Sequence, residues 1–255
     1  MEKLQLAIVM PAYNEAGCIE QVATQWLQVA ENHYGVLIVV NDGSKDETGP
    51  ILDRLAARSS GLRVIHQKNA GHGAAVRHGY EKALETGAEF IFQTDSDDQF
   101  SPQDFGKLWE MRNESPFQLG VRAERHDPLV RIIISRINAM LLLVLYGTEI
   151  RDANVPFRLI RSAFLKVLLP WIPTNAFAPN IFLSVLAKRA GAEIIETPVT
   201  HRERETGTVS ILRWKLLKVC LRCVRELWDF RFQLNRDRKA FGDATREAAR
   251  TLHAA

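Results

Sequence analysis

Four short apolar runs rich in β-branched residues punctuate the N-terminal half of the chain, at Leu6 to Met10, Val36 to Val40, Leu62 to Ile65 and Phe90 to Phe92. The segments between them have helical periodicity and the length that a crossover connection needs. Strands joined by such helices are laid side by side and parallel, so the pattern predicts βαβ units in an α/β fold, a doubly wound, mostly parallel Rossmann-like sheet with helices on both faces. Sheets of this kind bind ligands at the carboxyl ends of their strands, where the following loops converge. The unusual polar residues of this chain stand in those loops.

Asp95-Ser96-Asp97-Asp98-Gln99 follows the fourth run directly. Carboxylates placed so close repel one another by on the order of several kcal/mol unless solvent or a hard divalent cation relieves them. Two readings stand: a solvated acidic loop, or Mg²⁺ or Mn²⁺ bound together with a substrate pyrophosphate. Asp95 and Asp97 are alternate residues that share a face in a regular strand, and a turn after Thr94 lets them converge on one ion. After the first run comes Pro11-Ala12-Tyr13-Asn14-Glu15, where Pro11 is expected to stop the strand, Tyr13 suits stacking on a base, and Glu15 either accepts from ribose hydroxyls or caps the next helix. After the second run, Asp42 is an acceptor for base or ribose and Gly43 allows a tight turn. Ser44 and Asp46 fit equally an N-cap pair for a helix continuing through Leu55. Gly71-His72-Gly73 either brings backbone close to a phosphate at a helix N-terminus or is a plain glycine turn. Neither the dinucleotide Gly-x-Gly-x-x-Gly fingerprint nor a Gly-x-x-x-x-Gly-Lys-Ser/Thr phosphate loop is present.

In order and spacing, Pro11-Ala12-Tyr13-Asn14-Glu15, Asn41-Asp42-Gly43-Ser44-Lys45-Asp46-Glu47-Thr48, Asn69-Ala70-Gly71-His72-Gly73-Ala74-Ala75 and Asp95-Ser96-Asp97-Asp98-Gln99 resemble the motifs of one family. It is the inverting family 2 glycosyltransferases of GT-A fold, and within them the dolichyl-phosphate mannosyltransferase-like branch; the likeness covers roughly residues 5 to 210. The resemblance implies a nucleotide sugar, a UDP- or GDP-hexose, held by Pro11, Tyr13, Glu15, Val40 and Asp42. It also implies a metal, Mg²⁺ or Mn²⁺, surrounded by Asp95, the Ser96 carbonyl, Asp97 and Gln99. Asn41 stands where the family often has Asp, which leaves the base unspecified.

In the second half, Gly120-Val121-Arg122 reads as the end of a strand. Asp152-Ala153-Asn154-Val155-Pro156-Phe157-Arg158 is similar to the family's Asp-x-x-x-Gly-Phe-Arg segment, with Pro156 in place of Gly, and on that likeness Arg158 joins the substrate-binding set. His201-Arg202-Glu203-Arg204-Glu205-Thr206-Gly207-Thr208-Val209-Ser210 looks like the family's mobile basic loop, whose arginines meet the donor pyrophosphate and the acceptor phosphate. Arg122, Arg131, Arg202 and Arg204 are therefore the phosphate candidates, since a guanidinium grips phosphate oxygens in bidentate fashion and keeps its charge. In this reading Asp97, Arg122, Arg202 and Arg204 carry catalysis.

An absence narrows the acceptor. Relatives that glycosylate a neutral hydroxyl often carry an acid as general base near the start of the helix before the last core strand, where this chain has Phe177-Ala178-Pro179-Asn180-Ile181-Phe182. A phosphate monoester is already anionic and needs no such base, so the expected acceptor is a polyprenyl phosphate. If the base lies elsewhere, at Asp98, Asp152 or Glu196, the acceptor is a saccharide or glycolipid hydroxyl instead. A catalytically silent nucleotide-sugar-binding scaffold is the third reading.

The 255 residues, 46% hydrophobic and 25% charged, suffice for one large core, and a net charge of +3 decides little. The expected division is a catalytic domain over 1–210 and an appended segment over 211–255. From Ile211 to Leu234 an apolar stripe through Leu212, Leu216, Val219, Cys223, Leu227, Phe230 and Leu234 runs beside a cationic one through Lys215, Lys218, Arg222 and Arg225. Such a helix, with Trp214 and Trp228, either lies in an anionic membrane interface or packs on the catalytic domain. The tail after Asn235 reads as a short helix or as disordered. Leu129 to Gly147 is the most apolar stretch, but it contains Arg131, Arg136 and Asn138 and falls short of the ~20 residues a spanning helix needs. It is read as an amphipathic helix that covers the sheet or lies beside the mouth of the site. With no signal peptide visible, a peripheral enzyme on the cytoplasmic face of the membrane is expected. Cys18, Cys220 and Cys223 give no disulfide framework, and the Cys-x-x-Cys pair lacks a second ligand pair. The basic residues form no nucleic-acid recognition module, so no nucleic-acid partner is expected.

Overall fold

The computed structural model describes residues 4–122, 139–202 and 213–253, with side chains for all of these but 213–220 and 247–253. Its sheet has seven strands in the order β3-β2-β1-β4-β6-β5-β7. They are β1 (Leu6–Ala12), β2 (Gly35–Asn41), β3 (Leu62–His66), β4 (Phe90–Thr94), β5 (Phe117–Arg122), β6 (Phe157–Arg161) and β7 (Ile194–Val199). The pairs β3–β2, β2–β1, β1–β4 and β5–β7 are parallel, while β6 runs antiparallel to both β4 and β5. All seven residues of β1 are buried, as expected of a parallel strand covered on both faces.

The register assigns the faces. Ile8 of β1 pairs with Phe92 of β4, and Phe92 stacks at 5.3 Å on Trp26 of α1 (Ile19–Asn32), so α1 covers that face. Val9 points the other way, against Gly79 of α3 (His72–Glu85). A β-carbon at Gly79 would collide with the Val9 side chain, which is why α3 can sit so close. Beside Val9 on this second face is its register partner Gln93, and above it α7 (Pro179–Arg189), which is buried from Pro179 through Ala187 and opens with proline at its first position. The remaining helices are α2 (Thr48–Ala56), α4 (Phe105–Glu110), α5 (described over 139–146), α6 (Ser162–Leu168), α8 (Arg213–Arg236) and α9 (Arg238–His253).

One local expectation needs correction, and one pair of alternatives is resolved. Pro11 does not stop β1: it pairs with Val40, and Ala12 with Asn41. Pairing of β1 with β4 ends at Val9, so the proline sits where the ladder is one-sided and its missing N–H leaves no break. The tail after Asn235 is a 16-residue helix, α9, held by Phe241 edge-on to Trp171 at 5.2 Å.

Helix α8 packs through Leu227, Phe230 and Leu234, all buried, with Phe230 edge-on to Phe182 at 4.8 Å and the Tyr146 hydroxyl donating to the Leu227 carbonyl at 2.5 Å. Arg222, expected on the cationic stripe, is drawn into packing. Its Nε donates to Glu226 at 2.6 Å, its Nη2 donates to the Asn175 carbonyl at 2.9 Å, and its guanidinium lies 5.6 Å from the Phe177 ring. A second stripe, Leu221, Arg225, Trp228 and Phe232, stays exposed at helical spacing. Among the described residues no helix is long and apolar enough to cross a membrane.

Candidate active site

A cleft of about 380 Å³ opens over the carboxyl ends of β1, β2 and β4. Pro11, Ala12, Tyr13 and Glu15 line it from the first loop and Asp42 from the second, with Asn69, Gly71 and His72 at the entry to α3. Asp95, Ser96 and Asp97 close it from the fourth strand. Strand order reverses here, since β2 and β3 lie on one side of β1 and β4 on the other, and doubly wound sheets form their ligand crevice at such a point.

Hydrogen bonds zip the loops together. Asn14 adopts a φ of 55°, a left-handed conformation that Asn tolerates better than most residues. It donates its N–H to Ser44 at 3.0 Å and accepts from Lys45 N at 2.8 Å. Glu15 N–H donates to Thr48 Oγ1, and Asp46 accepts from the N–H groups of Ala16 and Thr48. Ser44 therefore joins loop to loop, and Asp46 divides its acceptors between the α2 entry and the first loop. Asp42 is 2% exposed, and its Oδ1 accepts from Gln67 Nε2 at 2.7 Å and Ala70 N at 2.8 Å while Oδ2 accepts from Gly71 N at 2.9 Å. It both lines the cleft and clasps the loop that leads into α3. Loop Ala176–Phe177, tied to α8 through the Glu226 bond to Phe177 N–H, lies so close to the α3 N-terminus that a β-carbon on Gly73 would collide with the Ala176 carbonyl.

The carboxylates are the electrostatic centre. Burial pushes the Asp95 carboxyl up to about 6; the His72 and Arg122 charges oppose this, and the Asp97 and Glu15 carboxylates reinforce it. His72 Nε2 stands 3.9 Å from Asp95 Oδ1. Asp97 Oδ1 accepts from Gln99 N at 3.3 Å, and Cys18 Sγ points at the Ser96 carbonyl at 3.4 Å. Two crowded carboxylates and the Ser96 carbonyl make an all-oxygen donor set for a hard cation, whose charge would relieve the repulsion that raises Asp95, while Gln99, expected beside them, does not line the cleft. Among the described residues no three His, Cys, Asp or Glu side chains gather as a metal cage.

Gln99 Nε2 donates to the Arg202 carbonyl at 3.1 Å, Arg202 N donates back to the Gln99 carbonyl at 2.8 Å, and Phe100 bridges His201. These contacts bring Arg202 beside the acidic loop. Arg122, at the end of β5, has its guanidinium 5.9 Å from the Phe100 ring and its Nε 3.7 Å from the buried Asp152. Arg131 and Arg204 fall outside the described residues.

Two expected contact residues lie elsewhere. Val40 is wholly buried in β2, paired with Pro11 and Ile65, and does not line the cleft. Arg158 is 0% exposed, and its guanidinium donates to the carbonyls of Ala153, Val155 and Asn180. It clasps the turn at 152–155 from inside, with Tyr80, Asp152 and Asp95 near enough to act on its charge. What the motif reading missed is a buried polar chain from Tyr80 through Asn180 and Gln93 to Asp95. The sequence signal for it was Gln93, a carboxamide directly after the apolar Phe90-Ile91-Phe92.

A crevice lined by paired aspartates at the reversal point of a mostly parallel sheet is the arrangement of a GT-A-like fold. The glycosyl transferase family 2 profile matches residues 7–167, and the chain belongs to that family. The chain is similar to proteins of the dolichyl-phosphate mannosyltransferase-like branch. It is 27% identical to the polyprenol monophosphomannose synthase of Mycolicibacterium smegmatis, over 91% of this chain and 89% of that protein. It is 25% identical to the undecaprenyl-phosphate mannosyltransferase of Micrococcus luteus, over 84% and 95%. The fold matches glucosyl-3-phosphoglycerate synthase from Mycobacterium tuberculosis, solved with Mn²⁺, uridine diphosphate and glucosyl-3-phosphoglycerate, at a TM-score of 0.65 and 18% identity over 89% of this chain and 79% of that one.

Proposed function

We propose that this glycosyltransferase is metal-dependent and inverting, and moves a hexose from a nucleoside diphosphate sugar to a polyprenyl phosphate. The observation that carries the acceptor class is Asn180. At the entry to α7 there is an amide rather than an acid, 3% exposed and turned inward to Gln93. No proton acceptor is offered there, and an anionic phosphate oxygen needs none. Among the other acids, Asp152 faces Arg122 and Glu196 accepts from Arg151 N.

In this reading Pro11, Tyr13, Glu15 and Asp42 hold the nucleoside. Asp95, Asp97 and the Ser96 carbonyl hold Mg²⁺ or Mn²⁺, which when bound neutralises charge on the leaving diphosphate. Arg122 and Arg202 orient phosphate oxygens, joined by Arg131 and Arg204. Val40 and Arg158 act from behind, by packing. An acceptor oxygen then attacks the anomeric carbon from the side opposite the leaving group, which inverts the centre. Calorimetry with UDP and with GDP should show one of them binding in a Mn²⁺-dependent manner. Absence of binding by both would overturn the nucleotide-sugar reading of the cleft.

The polyprenyl acceptor sits in a bilayer, and the exposed stripe Leu221, Arg225, Trp228 and Phe232 supports peripheral attachment through α8 at the cytoplasmic face. Replacing Trp228 and Phe232 with Ser and Arg225 with Glu should release the protein from anionic vesicles at low salt with its circular dichroism unchanged. Undiminished co-sedimentation would place any membrane contact elsewhere.

A further inference from the structure

Gln93 stands in β4 among Phe90, Ile91 and Phe92 and is 0% exposed. A carboxamide buried without partners is costly, so the bonds it makes reveal what it is there for. Its Oε1 accepts from Asn180 Nδ2 at 3.0 Å, and its Nε2 donates to Asp95 Oδ1 at 3.3 Å. Asn180, in turn, has its Oδ1 3.5 Å from the Tyr80 hydroxyl, which belongs to α3 and is fully buried. The chain thus crosses three elements, α3, α7 and β4, and ends on a carboxylate of the cleft.

Its direction is fixed from the Asp95 end. An ionised carboxylate only accepts, so Gln93 must present its NH₂ to Asp95 and its oxygen to Asn180. Asn180 must then present its own NH₂ to Gln93 and its oxygen to Tyr80. An ionised acid at position 180 would accept from Gln93 and turn the carboxamide oxygen toward Asp95, oxygen against oxygen. The relay and a charged acid at the α7 entry are incompatible.

We infer that Gln93 and Asn180 are positioning residues for Asp95: Asn180 sets the direction of the Gln93 carboxamide, and Gln93 restrains the Asp95 carboxylate for a divalent cation. The inference rests on the metal reading of the site given above. Partners of this kind orient metal ligands from outside the coordination sphere, and losing one costs about 10- to 100-fold in metal affinity.

The test is Mn²⁺ affinity, followed by the paramagnetic resonance of free Mn²⁺ in titrations with UDP and, separately, GDP. Gln93→Met and Asn180→Leu keep side-chain volume and remove the polar contacts. Each should weaken Mn²⁺ about 10-fold or more. The double variant should bind no more weakly than the worse single, because Asn180 acts through Gln93. Thermal melting establishes that each variant is folded; if Gln93→Met does not fold, Asn180→Leu carries the same reading, since it releases the Gln93 carboxamide. Affinity within twofold of wild type in the folded variants, or additive losses in the double, would overturn the inference. Failure of the wild-type protein itself to bind Mn²⁺ with either nucleotide would instead overturn the metal reading.

Discussion

Asp97→Asn is expected to lower the rate of sugar transfer by roughly 10²- to 10³-fold while leaving the fold intact, the scale of losing one preorganised electrostatic contact to a developing charge. The substitution is nearly isosteric. The side-chain oxygen of Asn can still accept the Gln99 N–H that Asp97 Oδ1 now receives at 3.3 Å, so the loop keeps its bond. What disappears is one of the two aspartate charges that the loop after β4 presents to the cleft, and with it much of the attraction for a divalent cation. Asp95 would then be the one charged ligand left in that loop, and the leaving diphosphate would depart with less of its charge neutralised. Single-turnover transfer at saturating donor, with Mn²⁺ and with a chelator, measures the effect. Variant and wild type should converge in chelator. A variant that transfers within about threefold of wild type, with wild type indifferent to chelator, would remove the metal from the mechanism.

The sheet was legible where strands are buried on both faces. Leu6 to Met10 and Val36 to Val40 are continuous apolar runs because helices cover them above and below, and nothing in their surroundings competes with that reading. Strand β6 is different. Phe157-Arg158-Leu159-Ile160-Arg161 shows the alternation of a half-exposed strand, yet Arg158 is completely buried because its donors find carbonyls on the turn at 152–155 and on α7, partners that exist only once the chain has folded. The continuation of β1 through Pro11 was likewise hidden, since it depends on where β4 stops pairing.

Within the site, the loop residues announced themselves by polarity at the ends of apolar runs, and Tyr13, Glu15, Asp42, Asp95 and Asp97 do converge on one cleft. Val40 and Arg158 came from motif likeness alone, and their side chains are inside. The Gln93–Asn180 bond joins residues 87 positions apart, a distance over which periodicity and local chemistry say nothing. The same holds for Arg222: a cationic stripe on a helical wheel does not distinguish an arginine facing lipid from one tied to Asn175 and Glu226.

The acceptor is where the account is most exposed. An alcohol must lose a proton to attack, and a positioned general base contributes about 10²- to 10⁴-fold to such a step. In the proposed reading, the amide of Asn180 in place of an acid at the α7 entry supplies no such contribution to an alcohol, and a phosphate, whose oxygen is anionic from the outset, needs none. The direct measurement presents the purified protein, Mn²⁺ and its nucleotide sugar with matched vesicles carrying either a polyprenyl phosphate or the corresponding free polyprenol, and follows the glycosylated lipid over time. Transfer to the phosphate should exceed transfer to the alcohol by about 10²-fold or more. Equal or faster transfer to the alcohol, or to a saccharide hydroxyl supplied in its place, would contradict the account.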